Sequence, residues 1–198
     1  GGFALALAAL LPLQLLLPKL SPPGLSATAI SGSLWRGSLR NAEWNGARLG
    51  NLRLGLSPLP LLSGRRELWL RSAQASLSLS SGRLRGIDDA DGVLPLPPVQ
   101  GLAMRASLED ARLLFDAEGC HDAGGRIRVE LSLPGDVLAP VILAGTPACE
   151  GRSGRLALLP EQPGGPLLPE ATLTVEADGG YRLQSLVRSD DPAVRLAL

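Results

Sequence analysis

The 198-residue chain is poor in the side chains on which most enzymes and nucleic-acid-binding proteins depend. One His and two Cys are too few for the four Cys or His ligands of a structural zinc site. A single His also leaves little scope for a Ser or Cys nucleophile activated by an imidazole. The formal net charge at pH 7 is zero, so there is no cationic excess for binding phosphates. We therefore predict no enzymatic activity, no metal site, no cofactor and no nucleic-acid partner.

Glycine, proline and aliphatic residues are abundant, whereas aromatic residues make up only 3% of the chain. The 24 Gly and 17 Pro approach the content of disordered chains, but such chains are poor in Leu and Val, and this one is rich in both. The composition therefore predicts a folded protein with many turns.

The first segment of the chain is its most hydrophobic. Residues 1–17 read GGFALALAALLPLQLLL and contain no charge. A helix over residues 3–17 would span about 22 Å, which is shorter than a hydrocarbon core of about 30 Å. The sequence does not begin with Met, and we expect residues 1–18 to be an N-terminally truncated transmembrane anchor. A cleaved signal peptide and a buried helix are the alternatives.

The rest of the chain alternates apolar and polar residues between turn signals, which is typical of half-buried strands. The clearest alternations cover residues 52–56, 77–79, 127–133, 155–159, 171–177 and 181–188. Residues 177–180 (ADGG) predict a hairpin over 171–188, and a short helix fits residues 57–62. The expected fold is mainly β: an antiparallel curved sheet, open sandwich or half-barrel of many short strands, preceded by the transmembrane helix.

Two Pro-rich stretches interrupt this pattern, LPLPPV at 94–99 and PEQPGGPLLP at 160–169. Proline cannot donate to a sheet ladder, so we expect loops or edge crossings there. The β domain over residues 19–198 could then divide into two halves near residue 95.

Cys120 and Cys149 lie in turn-like sequence contexts after the predicted anchor, which would place them outside the cytoplasm. In an oxidising compartment a disulfide is the simplest interpretation. Two free buried thiols, or a metal-binding or catalytic role, are the alternatives. His121 and Asp122 follow Cys120, but adjacent strand residues point to opposite faces, so we interpret them as turn residues rather than as partners of a nucleophile.

Asp88, Asp89 and Asp91 in IDDADG resemble part of a calcium loop. The twelfth position of such a loop would be Val99 instead of Glu, which favours a solvated acidic turn. The segment SGSLWRG at 31–37 is more specific. It predicts a tight turn at Gly32 and Gly37 with Trp35 in the core, and a partner or lipid contact is the alternative. Trp44 follows nine residues after Trp35.

Three segments together resemble the type II secretion system protein N family. They are SGSLWRG at 31–37, with Ser33 where Thr is usual, GCHDAGG at 119–125 and LAGTPAC at 143–149. The family pattern S-G-T-x-W-x-G corresponds here to Ser31, Gly32, Trp35 and Gly37. The patterns C-x-x-A-G-G and L-x-G-x-P-x-C contain Cys120 and Cys149.

The resemblance implies a single-pass protein of the bacterial inner membrane with most of the chain in the periplasm. It would be an accessory, non-catalytic component of type II secretion that acts through contacts with other components. It also implies kinship with AsmA-like β-rich proteins. A periplasmic module that binds or transfers lipid is therefore the alternative function.

Overall fold

The computed structural model describes residues 24–62, 64–99, 102–132, 140–162 and 168–188. These residues form fourteen β-strands and one short helix. In chain order the elements are β1 Leu25–Ser26, β2 Ala29–Gly32, β3 Gly37–Trp44, β4 Ala47–Leu56, α1 Pro58–Leu62, β5 Arg66–Arg71, β6 Ala75–Ser81, β7 Arg85–Val99, β8 Leu102–Phe115, β9 Cys120–Ser132, β10 Val141–Gly145, β11 Pro147–Glu150, β12 Ser153–Pro160, β13 Leu168–Val175 and β14 Tyr181–Arg188.

All fourteen strands belong to one antiparallel sheet, in which most strands pair with their neighbours in the chain. β1 and β2 both pair with β3 at one edge, and β14 pairs with β13 at the other. The two edges do not pair with each other in the described part of the chain, so the sheet is open. The predicted mainly β, antiparallel fold is confirmed.

One face of the sheet, which we call the inner face, is apolar because the strands alternate with a period of two. Ladder pairs such as Leu39 with Leu52, and Leu54 with Leu70, put leucines side by side on this face. Two buried clusters result. The first contains Leu39, Ala42, Leu52 and Leu54, and the second contains Leu143, Leu156 and Leu158. The opposite, outer face has polar ladder pairs such as Ser78 with Asp89.

The sheet is bent across strands β4 to β7. Arg48 near the start of β4 and Pro95 of β7 line the same two clefts, of about 310 and 350 Å³, although β5 and β6 separate their strands in the sheet. The β3–β4 hairpin therefore folds towards β7, as expected for a curved sheet.

The expectation of short strands is wrong for β7, β8 and β9, which have 15, 14 and 13 residues. The Pro-rich residues 94–99 lie inside β7 rather than in a loop. Pairing with β6 ends at Gly92, and the Val93 N–H points to the β6 side, where it donates to the Gln74 carbonyl. The Pro95 nitrogen lies on that same, otherwise unpaired side, so its missing N–H breaks no ladder. The boundary near residue 95 stays a prediction.

Two local predictions are confirmed. β13 and β14 form the predicted hairpin, with Val175 opposite Tyr181 across the turn. The short helix α1 follows β4 where residues 57–62 suggested it.

The predicted anchor, residues 1–18, lies outside the described residues. Within the described ranges, no helix is long and apolar enough to cross a membrane.

Candidate functional site

The segment SGSLWRG forms a tight turn between β2 and β3, as predicted. The Ser33 N–H donates to the Arg36 carbonyl (3.1 Å), and the Arg36 N–H donates to the Ser33 carbonyl (3.2 Å). Gly32 has φ +93°, and a Cβ at this position would overlap the Arg36 carbonyl oxygen. Gly32 and Gly37 are opposite each other in the ladder. Both the left-handed backbone and the close approach explain the glycine at position 32.

Trp35 does not lie in the core, in contrast to the main interpretation from the sequence. Its side chain is half-buried and lines an open cleft of about 510 Å³ at the end of β4. Residues from the β2–β3 turn, the β4–α1 junction and the outer face of β5 form this Trp cleft: Trp35, Arg36, Leu56, Ser57, Pro58, Trp69 and Arg71. It contains two of the three tryptophans of the chain.

Gly55 fixes the geometry of the Trp cleft. It is buried and lies opposite Trp69 in the β4–β5 ladder. A Cβ on Gly55 would overlap the Trp35 carbonyl oxygen and would lie 2.8 Å from Cζ2 of Trp69. The Leu56 N–H also donates to the Leu34 carbonyl at 3.0 Å, which holds the turn against β4. Glycine at position 55 therefore allows both the turn and the Trp69 ring to approach the strand.

The Trp cleft is electropositive at one end. The Arg71 guanidinium carbon lies 5.8 Å from the centre of the Trp69 ring, within the range of a cation–π contact. Arg71 also lies directly opposite Arg53 in the β4–β5 ladder. Elsewhere in the sheet Arg112 and Arg128 have carboxylate partners at 2.8 and 2.9 Å. Among the described residues, no carboxylate forms an ion pair with Arg36, Arg53 or Arg71.

Cys120 and Cys149 form a disulfide, with a Cα–Cα distance of 5.5 Å. Cys120 is the first residue of β9 and Cys149 lies in β11, which pairs with β12. The Cys120 N–H donates to the Arg152 carbonyl at 2.9 Å. The disulfide therefore fastens the β11–β12 hairpin to the start of β9.

His121 and Asp122 lie in β9 and not in a turn, so the turn interpretation is wrong. They have different partners. His121 Nδ1 lies 3.2 Å from Asp116 Oδ2, and Arg112 Nε donates to Asp122 Oδ2 at 2.8 Å. The true turn precedes Cys120, where Asp116 Oδ1 accepts hydrogen bonds from the Glu118 and Gly119 N–H groups. Those two bonds, with His121, lower the pKa of Asp116.

The acidic segment IDDADG also lies in a strand, β7, and not in the predicted turn. Asp89 and Asp91 lie close to Asp110 of β8, and the Asp110 N–H donates to Asp91 Oδ1 at 2.9 Å. Burial raises the pKa of Asp89, and the neighbouring charges of Asp91 and Asp110 raise it further. Strands flank this segment, whereas helices flank the calcium loop of an EF-hand.

β14 is an edge strand with large apolar side chains in solvent. Tyr181, Leu183 and Leu186 are 77%, 63% and 50% exposed. Its outward backbone groups follow from the hairpin register. The Glu176 N–H donates to the Gly180 carbonyl, and hydrogen-bonded and non-hydrogen-bonded pairs alternate in an antiparallel ladder. The backbone N–H groups of Leu183 and Ser185 therefore point away from β13.

Sequence reasoning singled out Trp35 and Trp44 but missed Trp69 and Arg71. Trp44 lies at the opposite end of β3 from Trp35 and does not line the Trp cleft. The missed signal is the alternation in RELWLR at 66–71, where Leu68 and Leu70 take the inner face. Trp69 and Arg71 must then lie on the outer face, beside the β2–β3 turn.

The fold and these features define a β protein with an open sheet, a disulfide-fastened hairpin, an exposed edge and a Trp- and Arg-lined cleft. The sequence model of the family described as type II secretion system (T2SS), protein N, matches residues 23–198. The chain belongs to this family and is thus a component of a type II secretion system. Comparison with curated proteins and with solved structures finds no significant match. The roles of Ser31, Gly32, Trp35 and Gly37 as a family motif stay a prediction.

Proposed function

We propose that the protein is an accessory, non-catalytic component of the type II secretion machinery that acts through protein contacts. In this proposal residues 1–18 anchor it in the bacterial inner membrane, and the β-sheet lies in the periplasm. The Cys120–Cys149 disulfide supports the periplasmic location, because disulfides persist in oxidising compartments.

The observation that carries the proposal is the edge strand β14. It has eight residues, and it presents both exposed apolar side chains and outward backbone N–H groups. Nothing in the described part of the chain pairs with this edge of β14. An edge of this kind can accept a strand from another chain, with backbone hydrogen bonds for affinity and side chains for specificity. We propose that another secretion component pairs with β14.

The burial of the inner face favours a function through contacts at the sheet edge over the alternative function of lipid binding on that face. Its central leucines are buried, with exposed fractions of 2% at Leu39, 5% at Leu54 and 3% at Leu143. These side chains pack against one another in the two core clusters. The inner face thus serves as the core of the fold.

Two proline substitutions in β14 test the proposal. Ser185→Pro removes an N–H that points to the open edge and leaves the β13 ladder intact. Gln184→Pro removes an N–H that points to Thr172 of β13 and should destabilise the hairpin. Secretion of folded exoproteins is measured in bacteria that carry either variant at native level, beside a deletion strain.

We expect Ser185→Pro to reduce secretion while the purified protein unfolds at nearly the parent urea concentration. Normal secretion with Ser185→Pro would exclude pairing at β14. Deletion that leaves secretion intact but weakens the outer-membrane lipid barrier would contradict the function itself and favour a lipid-handling role.

A further inference from the structure

The Trp cleft has the composition of a recognition site. Trp and Arg are the residue types most enriched among those that dominate binding energy at protein interfaces. The chain has only six aromatic residues other than His, yet Trp35 and Trp69 both line this one cleft. Arg36 and Arg71 line it as well. Both kinds of side chain keep solvent-accessible surface there.

Within the described residues, no carboxylate forms an ion pair with the arginines at the cleft. Asp91 of β7 lies on the same outer face as Arg71, two strands away. Arg53 and Arg71 lie directly opposite each other, a like-charge pair that is unfavourable on a sheet. The nearest acidic side chain on β5 is Glu67, whose Oε1 accepts a hydrogen bond from Ser57 Oγ at 3.0 Å. Glu67 and Arg71 lie on either side of Trp69 along the outer face. The Glu67 carboxylate is thus bound to Ser57 beside the cleft, whereas Arg36 and Arg71 line the cleft itself.

We propose that the Trp cleft binds an acidic segment of a partner protein. In this segment a carboxylate lies next to an apolar side chain. The carboxylate would lie between Arg36 and Arg71, since guanidinium groups bind carboxylates with two parallel hydrogen bonds. The apolar side chain would pack on Trp69. The anion would also relieve the repulsion between Arg53 and Arg71.

The position of the cleft favours a protein over a lipid head group as the source of the anion. Gly24, where the described chain begins, lies beside Asn45 at the end of β3. The β2–β3 turn lies at the other end of β3 from Asn45. These two ends are about 27 Å apart, because β3 has eight residues. This argument rests on the proposed function, in which the chain before Gly24 leads to the membrane.

Fluorescence of the cleft tryptophans can report binding. The variant Trp44→Phe leaves Trp35 and Trp69 as the sole tryptophans of the chain. The full chain in a non-ionic detergent is titrated with the peptide acetyl-Gly-Asp-Leu-Asp-Phe-Gly-amide. The matched control peptide has Asn in place of both Asp residues. In parallel, vesicles of phosphatidylglycerol or of phosphatidylcholine are added to the protein. For these titrations the protein is held in nanodiscs, because detergent would dissolve the vesicles.

We expect a saturable fluorescence change with the acidic peptide and a Kd about tenfold weaker for its Asn counterpart. Arg71→Glu should raise the Kd of the acidic peptide by at least about tenfold. Arg83→Glu makes the same charge change at an exposed turn residue outside the cleft and should leave the Kd unchanged.

Three results would overturn the proposal. They are no saturation by about 5 mM acidic peptide, equal affinity for both peptides, or a response to phosphatidylglycerol vesicles alone that Arg71→Glu abolishes. Peptide binding is measured on the purified protein, so its failure is separate from a failure of the secretion assay.

Discussion

Removing the Cys120–Cys149 disulfide should destabilise the protein by about 3 to 4 kcal/mol. The two cysteines are 29 positions apart. In the chain-entropy model a loop of this length reduces the entropy of the unfolded chain by about 12 cal/mol/K, which is about 3.6 kcal/mol at 25 °C. In the folded state the disulfide lies beside the bond from the Cys120 N–H to the Arg152 carbonyl, and β12 also joins β9 through β10.

The assay is urea unfolding of the full chain in detergent, followed by tryptophan fluorescence, for the parent and the Cys120→Ala/Cys149→Ala variant. With a slope of about 2 to 3 kcal/mol/M, the midpoint should fall by about 1.5 M. Adding a reducing agent should lower the parent midpoint to that of the variant and leave the variant unchanged. A loss below about 1 kcal/mol would refute the reasoning, because closing the loop would then restrict the unfolded chain far less than the chain-entropy model gives.

Gly55→Ala should destabilise the protein by about 2 kcal/mol and shift the fluorescence of Trp69, because the new Cβ overlaps the Trp35 carbonyl. Gly180→Ala is the comparison, because its backbone is not left-handed and its Cβ would meet only the side chain of Asp178; an equal fluorescence shift there would contradict the packing argument. Asp116 should make stability depend on acid pH. Its pKa is lowered below the ordinary 3.8, so its stabilising effect is complete above that pH and is lost as the pH falls through the lowered value. Asp116→Asn should therefore show a weaker loss of stability in urea titrations below pH 4, and identical pH profiles would contradict the role of the charge.

The sequence predicts the hairpin β13–β14, the antiparallel class and the disulfide because each has a local signal. Alternation over 171–188 around ADGG determines the hairpin register. Cys120 and Cys149 are the only cysteines, so one intramolecular pairing exists. These predictions require no knowledge of how distant strands meet.

The strands that sequence reasoning missed depend on neighbours. Residues 94–99 contain three prolines, yet they extend β7 because β6 ends at its pairing with Gly92 and leaves that side free. Asp89 and Asp91 are poor strand formers locally, but both pair with β6, and Asp91 also accepts a hydrogen bond from the Asp110 N–H of β8. Tertiary pairing overrides local preference in both cases.

The Trp cleft was predictable only in part. Trp35 was visible as a conspicuous residue in a Gly-bounded turn. Its partner Trp69 is 34 positions later, and the two meet only because β3, β4 and β5 are consecutive in the sheet. The approach further requires a glycine at position 55, whose function is evident only from the Trp35 carbonyl above it.

The neighbour-to-neighbour order of the strands has a consequence for how the protein is made. A chain that crosses a membrane unfolded, N-terminus first, would deliver β1 to β14 in nearly the order in which they pair. Each new strand could then add to the growing sheet without waiting for a distant partner, since short-range pairings cost less loop entropy. Cys120 would emerge well before Cys149, so the covalent bond would close only after β9 and β10 had joined. Every intermediate before β14 arrived would expose a different strand as its edge.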